Sequence, residues 1–588
     1  MASGMLEQLS PLVWPLVVTV LLGLTLWLLL SVEDRPIPYT VTSPKEAEIQ
    51  RILERPAIKE AGSTAIQCYA PATGRFLGTV RPTTADGIDR AVETAAAAQK
   101  QWATTTFRQR RAVLRSMLQH VLDNQHEICR VACLDSGKTM VDAQLGEILV
   151  TAEKLQWTMA HGEKALRPTR RPTNLLMAYK RNTVRYEPLG VVAALVSWNY
   201  PFHNLIGPII SALFAGNAIL VKASEQTAWS ATYFADIART ALVAHGHDRA
   251  LVQDVVCWPQ TAGHITSHPA IAHITFIGSR AVCHKVAASA AKALTPLVAE
   301  LGGKDACIVL DTVSDSDLER VAEILLRGTF QASGQNCIGI ERIVVTPATY
   351  HKLVSMLEPR VKALRLGPDA DIGGMISDSS FSRLEGLIDA AVASGARLLA
   401  GGKRYAHPDY PSGHYFSPTL LVNVTPDMAI AQEECFGPIM VMMPAVANTA
   451  RDVLAVANAS DFGLGSSVFG ADGSPVLREV IDGLRAGMVA VNDFAAFYAV
   501  QLPFGGVGGS GYGRFAGDEG LRGLCHLKSV CEDRFGWAGM RTAIPSPIKY
   551  PVPDQERSWR FAKGVVDVGY GLGLGRKAAG LGSILTNG

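Results

Sequence analysis

Cys337 is the residue of this chain best placed to do chemistry. It follows a Ser-Gly-Gln-Asn turn and precedes the apolar, β-branched run 342–346, which places the thiol on a tight loop between a predicted helix and a predicted strand. A cysteine thiol titrates at about 8.5 unless its surroundings favour the thiolate, and only the thiolate is a good nucleophile. A packed core cysteine is the alternative for a lone thiol. The loop predicts a nucleophile if suitable partners occur elsewhere in the chain.

Glu300 and Asn199, which lie earlier in the chain, carry side chains that would complete such a site. Glu300 ends an apolar run, and a carboxyl in that setting can have a raised pKa suited to a general base. Asn199 could direct its amide N–H at an oxyanion, beside the backbone N–H of Cys337. Each also has a plain structural interpretation, which is a turn after a strand for Glu300 and an Asx-type turn before Pro201 for Asn199.

Two further stretches have features of a dinucleotide site. Lys222 and Glu225 follow a predicted strand, three residues apart, where both can hydrogen-bond the hydroxyls of a ribose. A carboxylate there disfavours a 2′-phosphate, so NAD is preferred to NADP, although a local ion pair is the alternative. Gly278 and Ser279 join a strand to a helix that Ser279 can cap, and a helix N-terminus attracts a pyrophosphate.

Apolar runs that alternate with helical segments must position these residues. The predicted strands are 190–197, 217–221, 252–257, 273–277 and 296–301 before the thiol loop, and 342–346, 438–444, 466–469 and 487–491 after it. Continuous apolar strands joined by helices are typical of a parallel sheet covered on both faces. We predict an α/β protein in which a doubly wound nucleotide-binding domain precedes a second α/β domain, with the thiol near their junction.

Together with 434–438 and 503–514, these stretches resemble the aldehyde dehydrogenase superfamily in order and spacing, over about residues 60 to 535. The resemblance implies a Rossmann-type NAD domain and a second α/β catalytic domain. It implies that Cys337 is the nucleophile, Glu300 the general base and Asn199 the oxyanion donor. The residues that it assigns to the cofactor are Trp198, Lys222, Glu225, Gly278, Ser279, Glu434 and Phe436. Among these, Lys222 and Glu225 would hold the adenosine ribose and Glu434 the nicotinamide ribose.

Three positions depart from the pattern that the family usually shows. Ser197 replaces a proline, Ala332 stands where asparagine is frequent, and Cys283 takes the place of the last glycine in the Gly278 fingerprint. None of them removes a group that the chemistry needs. Cys283 adds bulk near the predicted pyrophosphate, so the expected effect is on cofactor affinity.

Length and composition narrow the class of protein. The 588 residues suffice for two or more domains with a large core, and 55 basic residues against 53 acidic ones give no electrostatic case for nucleic acid. The ten cysteines show no Cys-x-x-Cys pair and no His/Cys metal spacing. We therefore expect a reduced compartment and no structural metal.

Residues 11–30 form an uncharged apolar run, long enough to span ~30 Å as a helix, which is the thickness of a bilayer core. The run exceeds the usual signal-peptide core, and no Lys or Arg precedes it, so we predict a single transmembrane helix. Arg35, Lys45 and Arg51 follow it, and the positive-inside bias then places the large domain in the cytosol. With this anchor, the chain looks most like a membrane-anchored fungal and plant branch of the family, at the endoplasmic reticulum.

These observations define an expected domain order. It comprises a short tail (1–10), the transmembrane helix (11–30), a linker (31–48), an NAD-binding domain (49–300), a catalytic thiol domain (301–500), a return segment to the core (501–540) and a C-terminal tail (541–588). In the resembled family a hairpin near 174–188 serves oligomer assembly, so a homo-oligomer is expected. The sequence of the C-terminal tail is compatible with an interfacial helix and equally with a disordered chain.

The expected activity is NAD-dependent oxidation of an aldehyde to a carboxylic acid, through a cysteine thiohemiacetal and a thioester. Two alternatives stay open. One is acyl transfer, as in relatives that generally lack the base, which Glu300 disfavours. The other is a membrane-tethered scaffold, which the intact set of site residues disfavours. An anchored enzyme meets aldehydes that partition into the bilayer, so medium- to long-chain aliphatic aldehydes are the expected substrates.

Overall fold

The computed structural model describes residues 35–47, 51–494 and 499–588. The predicted transmembrane helix, 11–30, and the tail before it lie outside these residues. Within them, no helix combines the length and the apolar character needed to cross a bilayer.

Twenty strands lie along the described chain. They are β1 (Ile66–Ala70), β2 (Arg75–Val80), β3 (Thr169–Arg171), β4 (Lys180–Pro188), β5 (Val191–Leu195), β6 (Ala218–Lys222), β7 (Val252–Val255), β8 (Ile271–Gly278), β9 (Leu297–Leu301), β10 (Ala306–Val309), β11 (Arg342–Val345), β12 (Arg397–Ala400), β13 (Arg404–Tyr405), β14 (Tyr415–Phe416), β15 (Thr419–Val422), β16 (Ile439–Pro444), β17 (Gly465–Phe469), β18 (Met488–Val491), β19 (Gly511–Tyr512) and β20 (Cys525–Asp533). All nine strands predicted from apolar runs are present, with ends within two residues of the expected ones or slightly longer.

Helices connect most of these strands. The α-helices are α1 (Ala85–Trp102), α2 (Phe107–Asp123), α3 (Gln125–Ser136), α4 (Met140–Ala143), α5 (Val150–Leu166), α6 (His203–Ala215), α7 (Ala228–Ala244), α8 (Pro259–Thr266), α9 (Arg280–Ala290), α10 (Leu318–Phe330), α11 (Pro347–Ala363), α12 (Phe381–Ala393), α13 (Ala429–Gln432), α14 (Ala450–Ala457), α15 (Pro475–Gly483), α16 (Gly517–Arg522), α17 (Gln555–Tyr570) and α18 (Leu574–Asn587). A π-helical turn, Gln144–Leu149, joins α4 to α5.

The first large sheet has the order β19-β9-β8-β5-β6-β7 and carries the predicted nucleotide-binding strands. Strands β9 to β7 in this order are parallel, and β19 joins the edge antiparallel to β9. Both faces of β5 and β6 are buried along their whole length, which explains their uninterrupted apolar sequences. The Rossmann-type sheet expected from the sequence is thereby confirmed.

The second large sheet has the order β12-β15-β16-β11-β10-β17-β18 and is parallel except at β12. Successive residues of β10 and β11 enter two different cores. Ile308 and Val344 belong to one, while Cys307, Val309 and Ile343 belong to the other. This alternation shows that the second sheet too is covered on both faces.

The chain divides into two compact units. The larger comprises residues 1–165 with 188–525, as far as the structure describes them, and contains both large sheets. The smaller comprises residues 166–187 with 526–588. Strands β3 and β4 pair antiparallel, so the predicted hairpin exists, starting at Thr169. The C-terminal tail, for which the sequence left helix or disorder open, forms α17 and α18.

Candidate active site

The thiol loop begins with a sharp backbone turn after α10. Ala332, Ser333 and Gly334 have φ values of 53°, 59° and 70°, so three successive residues adopt the left-handed conformation. Such angles favour glycine, and each costs strain at other residues. At Gly334 a Cβ atom would also overlap the carbonyl of Gly437, so only glycine fits there. The turn ends α10 and leads directly into the segment that carries Cys337.

Buried hydrogen bonds hold this turn in place. The Ala332 N–H donates to the Asp142 carboxylate over 3.0 Å, and Arg327 forms an ion pair with the same carboxylate at 2.8 Å. The Gln335 amide donates to the Ala332 carbonyl and accepts from the Ile376 N–H, over 3.1 and 2.9 Å. The partners Asp142 and Ile376 come from distant parts of the chain, and these contacts offset the backbone strain.

Cys337 and Glu300 line one cavity of about 290 Å³, and the Glu300 Oε1 atom is buried without a hydrogen-bond partner. Burial raises the pKa of Glu300 to about 7, and the neighbouring Cys337 thiol opposes that shift. Burial, followed by the charge of Glu300, also raises the pKa of Cys337 well above that of an ordinary thiol. The thiol form of Cys337 is favoured in this state because an apolar, acidic environment disfavours a second negative charge. The pair is a thiol beside its own proton acceptor.

Asn199 lies 5% exposed, and its amide is fixed at both ends. Its Oδ1 accepts from the hydroxyl of Ser197 at 2.8 Å and from the amide of Asn204 at 3.2 Å. Its Nδ2 donates to the backbone carbonyl of Gln335 at 3.1 Å, so the amide faces the thiol loop. Among the described residues none accepts from the Cys337 backbone N–H. One amide hydrogen of Asn199 and this N–H therefore remain for an oxyanion.

Glu434 and Phe436 lie on a loop close to this thiol. The Gly303 N–H donates to Glu434 Oε1 over 3.0 Å, and a Cβ atom at Gly302 would overlap the Glu434 carboxyl. Burial raises the pKa of Glu434 to about 8. The rings of Phe436 and Trp198 meet edge to face at 5.6 Å. The two aromatic residues assigned to the cofactor thus form one apolar contact.

Lys222 and Glu225 form an ion pair of 2.8 Å after β6. This is the local pair that the sequence left as an alternative, while a ribose role stays a prediction. Gly278 ends β8, and Ser279 occupies the N-cap position of α9. The Ser279 hydroxyl makes no capping hydrogen bond, so the expected side-chain cap is wrong. Cys283, expected to crowd a pyrophosphate, is only 5% exposed.

The residues at this end of the first sheet fit a dinucleotide. The first turn of α9 presents backbone N–H groups without a side-chain cap, which suits an anion. In that turn Arg280 has a buried Nη2 without a partner, a donor that a phosphate oxygen would satisfy. Lys222 and Glu225 supply a donor and an acceptor at the neighbouring strand end.

Several residues that organise the site were not predicted from the sequence. Glu341 accepts hydrogen bonds from the N–H groups of Cys435 and Phe436, at 3.0 and 2.8 Å, and binds the buried Lys304 ammonium at 2.6 Å. Lys138 binds Glu147 at 2.6 Å and also the Asn199 carbonyl at 2.6 Å. The charges of these residues were visible, but only the fold brings such distant partners together.

The ten thiols differ in access. Seven are buried, Cys133 and Cys337 are partly exposed, and Cys531 is exposed.

Comparisons with known proteins agree with this geometry. The model of the aldehyde dehydrogenase family matches residues 58–530. An aldehyde dehydrogenase-like protein of Schizosaccharomyces pombe is 51% identical over 513 residues, which cover 87% of this chain and 97% of that protein. A succinate-semialdehyde dehydrogenase [NADP(+)] of Mycobacterium leprae is 32% identical, with coverage of 78% and 98%.

The fold is likewise similar to solved structures. The crystal structure of a Mycobacterium tuberculosis aldehyde dehydrogenase complexed with NAD+ superposes with a TM-score of 0.74 at 30% identity, covering 83% of this chain and 98% of that one. The family match spans most of the sequence, and the site contains a thiol, a buried carboxyl and an oriented amide. This chain therefore belongs to the aldehyde dehydrogenase family.

Proposed function

We propose that the protein oxidises an aldehyde to a carboxylic acid with NAD, through a thioester on Cys337. The observation that carries the proposal is that the Cys337 thiol and the buried Glu300 carboxyl line one cavity, with the Asn199 amide oriented towards the same loop. Family membership supports aldehyde oxidation in general.

The first step needs a thiolate. Glu300, with a pKa of about 7, is substantially ionised at neutral pH and accepts the proton of the neighbouring Cys337 thiol. The sulfur then adds to the aldehyde carbon and forms a thiohemiacetal. The Asn199 Nδ2 and the Cys337 N–H stabilise its oxyanion. Bound NAD supplies the acceptor for the hydride whose loss converts this thiohemiacetal into a thioester.

The second step is hydrolysis of the thioester. Glu300 first releases to solvent the proton that it took from the thiol. It then accepts a proton from water, the hydroxide adds to the thioester carbon, and the Cys337 thiolate leaves as the acid forms. Because acyl transfer to another acceptor needs no such base, the buried carboxyl favours hydrolysis.

Lys222, Glu225, Glu434 and Phe436 are the proposed cofactor residues, together with Trp198 and the segment Gly278–Ser279. The carboxylate of Glu225 supports NAD over NADP, because it would repel a 2′-phosphate. Relatives are named for both cofactors, so this preference rests on Glu225.

For the substrate we propose a medium- to long-chain aldehyde. The cavity beside the thiol is lined by apolar side chains from several elements, which include Val150, Ile277, Val298, Val500 and Leu524. Each methylene buried there contributes up to ~0.8 kcal/mol, so four of them change affinity by about two orders of magnitude.

We also propose that residues 11–30 anchor the chain in the endoplasmic reticulum membrane with the catalytic domain in the cytosol, and that the protein forms a homo-oligomer. The support for the anchor is the uncharged run and the basic residues that follow it. The support for assembly is the β3–β4 hairpin.

The test is NADH formation with a panel of aldehydes, using the wild type, Cys337→Ala and Glu300→Gln. We expect turnover by the wild type and none by Cys337→Ala. Glu300→Gln lacks the acceptor for the thiol proton, so it should form at most one NADH per site, more slowly than the wild type, and then stall at the thioester. A wild type that forms no NADH with any aldehyde would support the scaffold alternative. Steady turnover by Glu300→Gln in the presence of coenzyme A or phosphate would support acyl transfer.

A further inference from the structure

The cavity that holds the thiol extends well beyond the reacting groups. On β8 the alternate residues His273, Thr275 and Ile277 all line it. Ile277 pairs with Glu300 in the sheet, so it marks the reactive end. At about 3.3 Å per residue, His273 lies about 13 Å further along the strand. The cavity can therefore accommodate an extended chain attached to the aldehyde.

Lys154 lines this cavity from α5 and is 9% exposed. Its stem lies over Gly207 of α6, where Cδ and Cε are 3.7 and 3.8 Å from the position that a Cβ atom would occupy. The ring of His203 lies over the same glycine, with Cε1 at 3.9 Å from that position. A lysine and a histidine thus meet at one point of the cavity wall.

No acceptor in the described part of the chain contacts the Lys154 ammonium. The other described lysines that are buried to this degree are all paired with carboxylates, Lys138 with Glu147, Lys222 with Glu225 and Lys304 with Glu341. Three of four buried ammonium groups follow the rule that buried charges are paired, and Lys154 does not. An ammonium group that lines a cavity without a partner among the described residues would be stabilised by an anion bound in that cavity.

The titratable side chains near Lys154 do not supply a negative charge either. His203 is neutral, because burial and then the charge of Lys154 lower its pKa to about 3, and its Nδ1 is hydrogen-bonded to the Thr151 hydroxyl at 2.9 Å. His273 is also neutral, since burial lowers its pKa to about 4, and its Nδ1 has no partner. Arg514, the other cation in the lining, donates through Nη1 to the Gly506 and Gly513 carbonyls.

Burial lowers the pKa of Lys154 to about 8, so the ammonium form still predominates at neutral pH. A carboxylate placed beside it would stabilise that form and gain a charge-assisted hydrogen bond.

We propose that Lys154 binds a carboxylate at the far end of the substrate, so that the preferred aldehydes are ω-oxo acids with an apolar chain between the two ends. The apolar lining contacts the chain, and Lys154 Nζ forms an ion pair with the carboxylate. This inference rests on the proposed aldehyde oxidation and narrows its substrate class.

The test compares octanal with 8-oxooctanoate, which have equal chain length and differ in the terminal group. We expect kcat/KM to be at least tenfold higher for 8-oxooctanoate in the wild type. Lys154→Met, which keeps the volume and removes the charge, should lower the value for 8-oxooctanoate about a hundredfold and leave octanal within threefold. Lys164→Met, on the exposed side of the same helix, is the control and should change neither. Equal effects of Lys154→Met on both aldehydes, or no effect on 8-oxooctanoate, would overturn the proposal.

A binding measurement separates this proposal from the proposed activity. Calorimetric titration of Cys337→Ala with octanoate should detect binding, and the added Lys154→Met change should weaken it at least tenfold. If the wild type oxidises no aldehyde but Lys154→Met still weakens octanoate binding, the proposed oxidation is wrong and the proposed carboxylate site is retained. Unchanged octanoate binding refutes the site. The Tm of Lys154→Met should equal or exceed that of the wild type, because an unpaired buried charge is removed. Lys154→Gln serves in its place if the methionine variant does not fold.

Discussion

The side-chain amide of Asn199 donates to the backbone carbonyl of Gln335 over 3.1 Å, two residues before the thiol. Asn199 follows β5 of the first sheet, and Gln335 precedes β11 of the second. The bond therefore ties the proposed oxyanion donor directly to the loop of the proposed nucleophile. It also fixes which hydrogen of the amide remains for catalysis.

Asn199→Asp should lower kcat by about 10²- to 10³-fold, because the carboxylate keeps the oxygen acceptor and loses the N–H donor. Asn204→Ala is the control, since it removes one hydrogen bond to Asn199 Oδ1 and leaves the Nδ2 donor in place. Its kcat should fall by less than tenfold. Steady-state kinetics with matched Tm measurements check both. Equal losses in the two variants would mean that Asn199 acts only by holding the loop.

The pH profile of kcat/KM should report Glu300. Its pKa is raised by burial to about 7, so below that pH the carboxyl is protonated and cannot accept the thiol proton. We expect kcat/KM to rise with pH through about 7 and then level off. The inflection should disappear from the single-turnover rate of Glu300→Gln. An unchanged inflection in that variant would assign the ionisation to another group, such as Glu434.

Glu225→Ser should shift the cofactor preference towards NADP. The change removes the carboxylate that would face a 2′-phosphate and frees Lys222 from its ion pair. We expect the ratio of kcat/KM for NADP to that for NAD to increase on the order of tenfold or more. Gln226→Ser, at the next position, is the control. A ratio that does not move would place the adenosine ribose away from Glu225.

Glu341→Gln tests the loop that carries Glu434. The change leaves the fully buried Lys304 without a charged partner, and breaking such a pair costs about 3–5 kcal/mol. We expect a lower Tm and weaker NAD binding, since Glu341 also accepts from the Cys435 and Phe436 N–H groups. Glu319→Gln is the control, because its pair with Arg360 is exposed and contributes at most about 1 kcal/mol. Thermal unfolding and calorimetry provide the readouts.

Much of this fold could be predicted from local sequence, and the reasons are physical. A strand such as β5 is buried on both faces, so its residues are apolar without interruption and the segment stands out. Helix α1 follows Thr84, whose hydroxyl accepts from the Gly87 N–H, and a threonine at the N-cap is a local sequence feature of a helix start. Cys337 and Glu300 could be assigned because short motifs around them match a family.

Other parts could not be predicted, because they depend on distant partners. Ala332 has no local reason to adopt a left-handed conformation, and only the Asp142 carboxylate, 190 positions away, explains how it is held. The π-helical turn Gln144–Leu149 cannot be distinguished from an ordinary α-helix by the pattern of apolar residues in the sequence. The unpaired state of Lys154 is visible only once the whole cavity wall is known.

The uneven access of the thiols makes the protein suitable for site-selective labelling. Among the described cysteines Cys531 is the exposed one, so a bulky maleimide should react there first and leave Cys337 intact. With Cys531→Ser in place, an iodoacetamide that carries a carboxylate tail would reach Cys337 through the cavity, and its tail would be oriented by Lys154. Stoichiometric alkylation at a single position would then count functional sites in a preparation without any knowledge of the natural substrate.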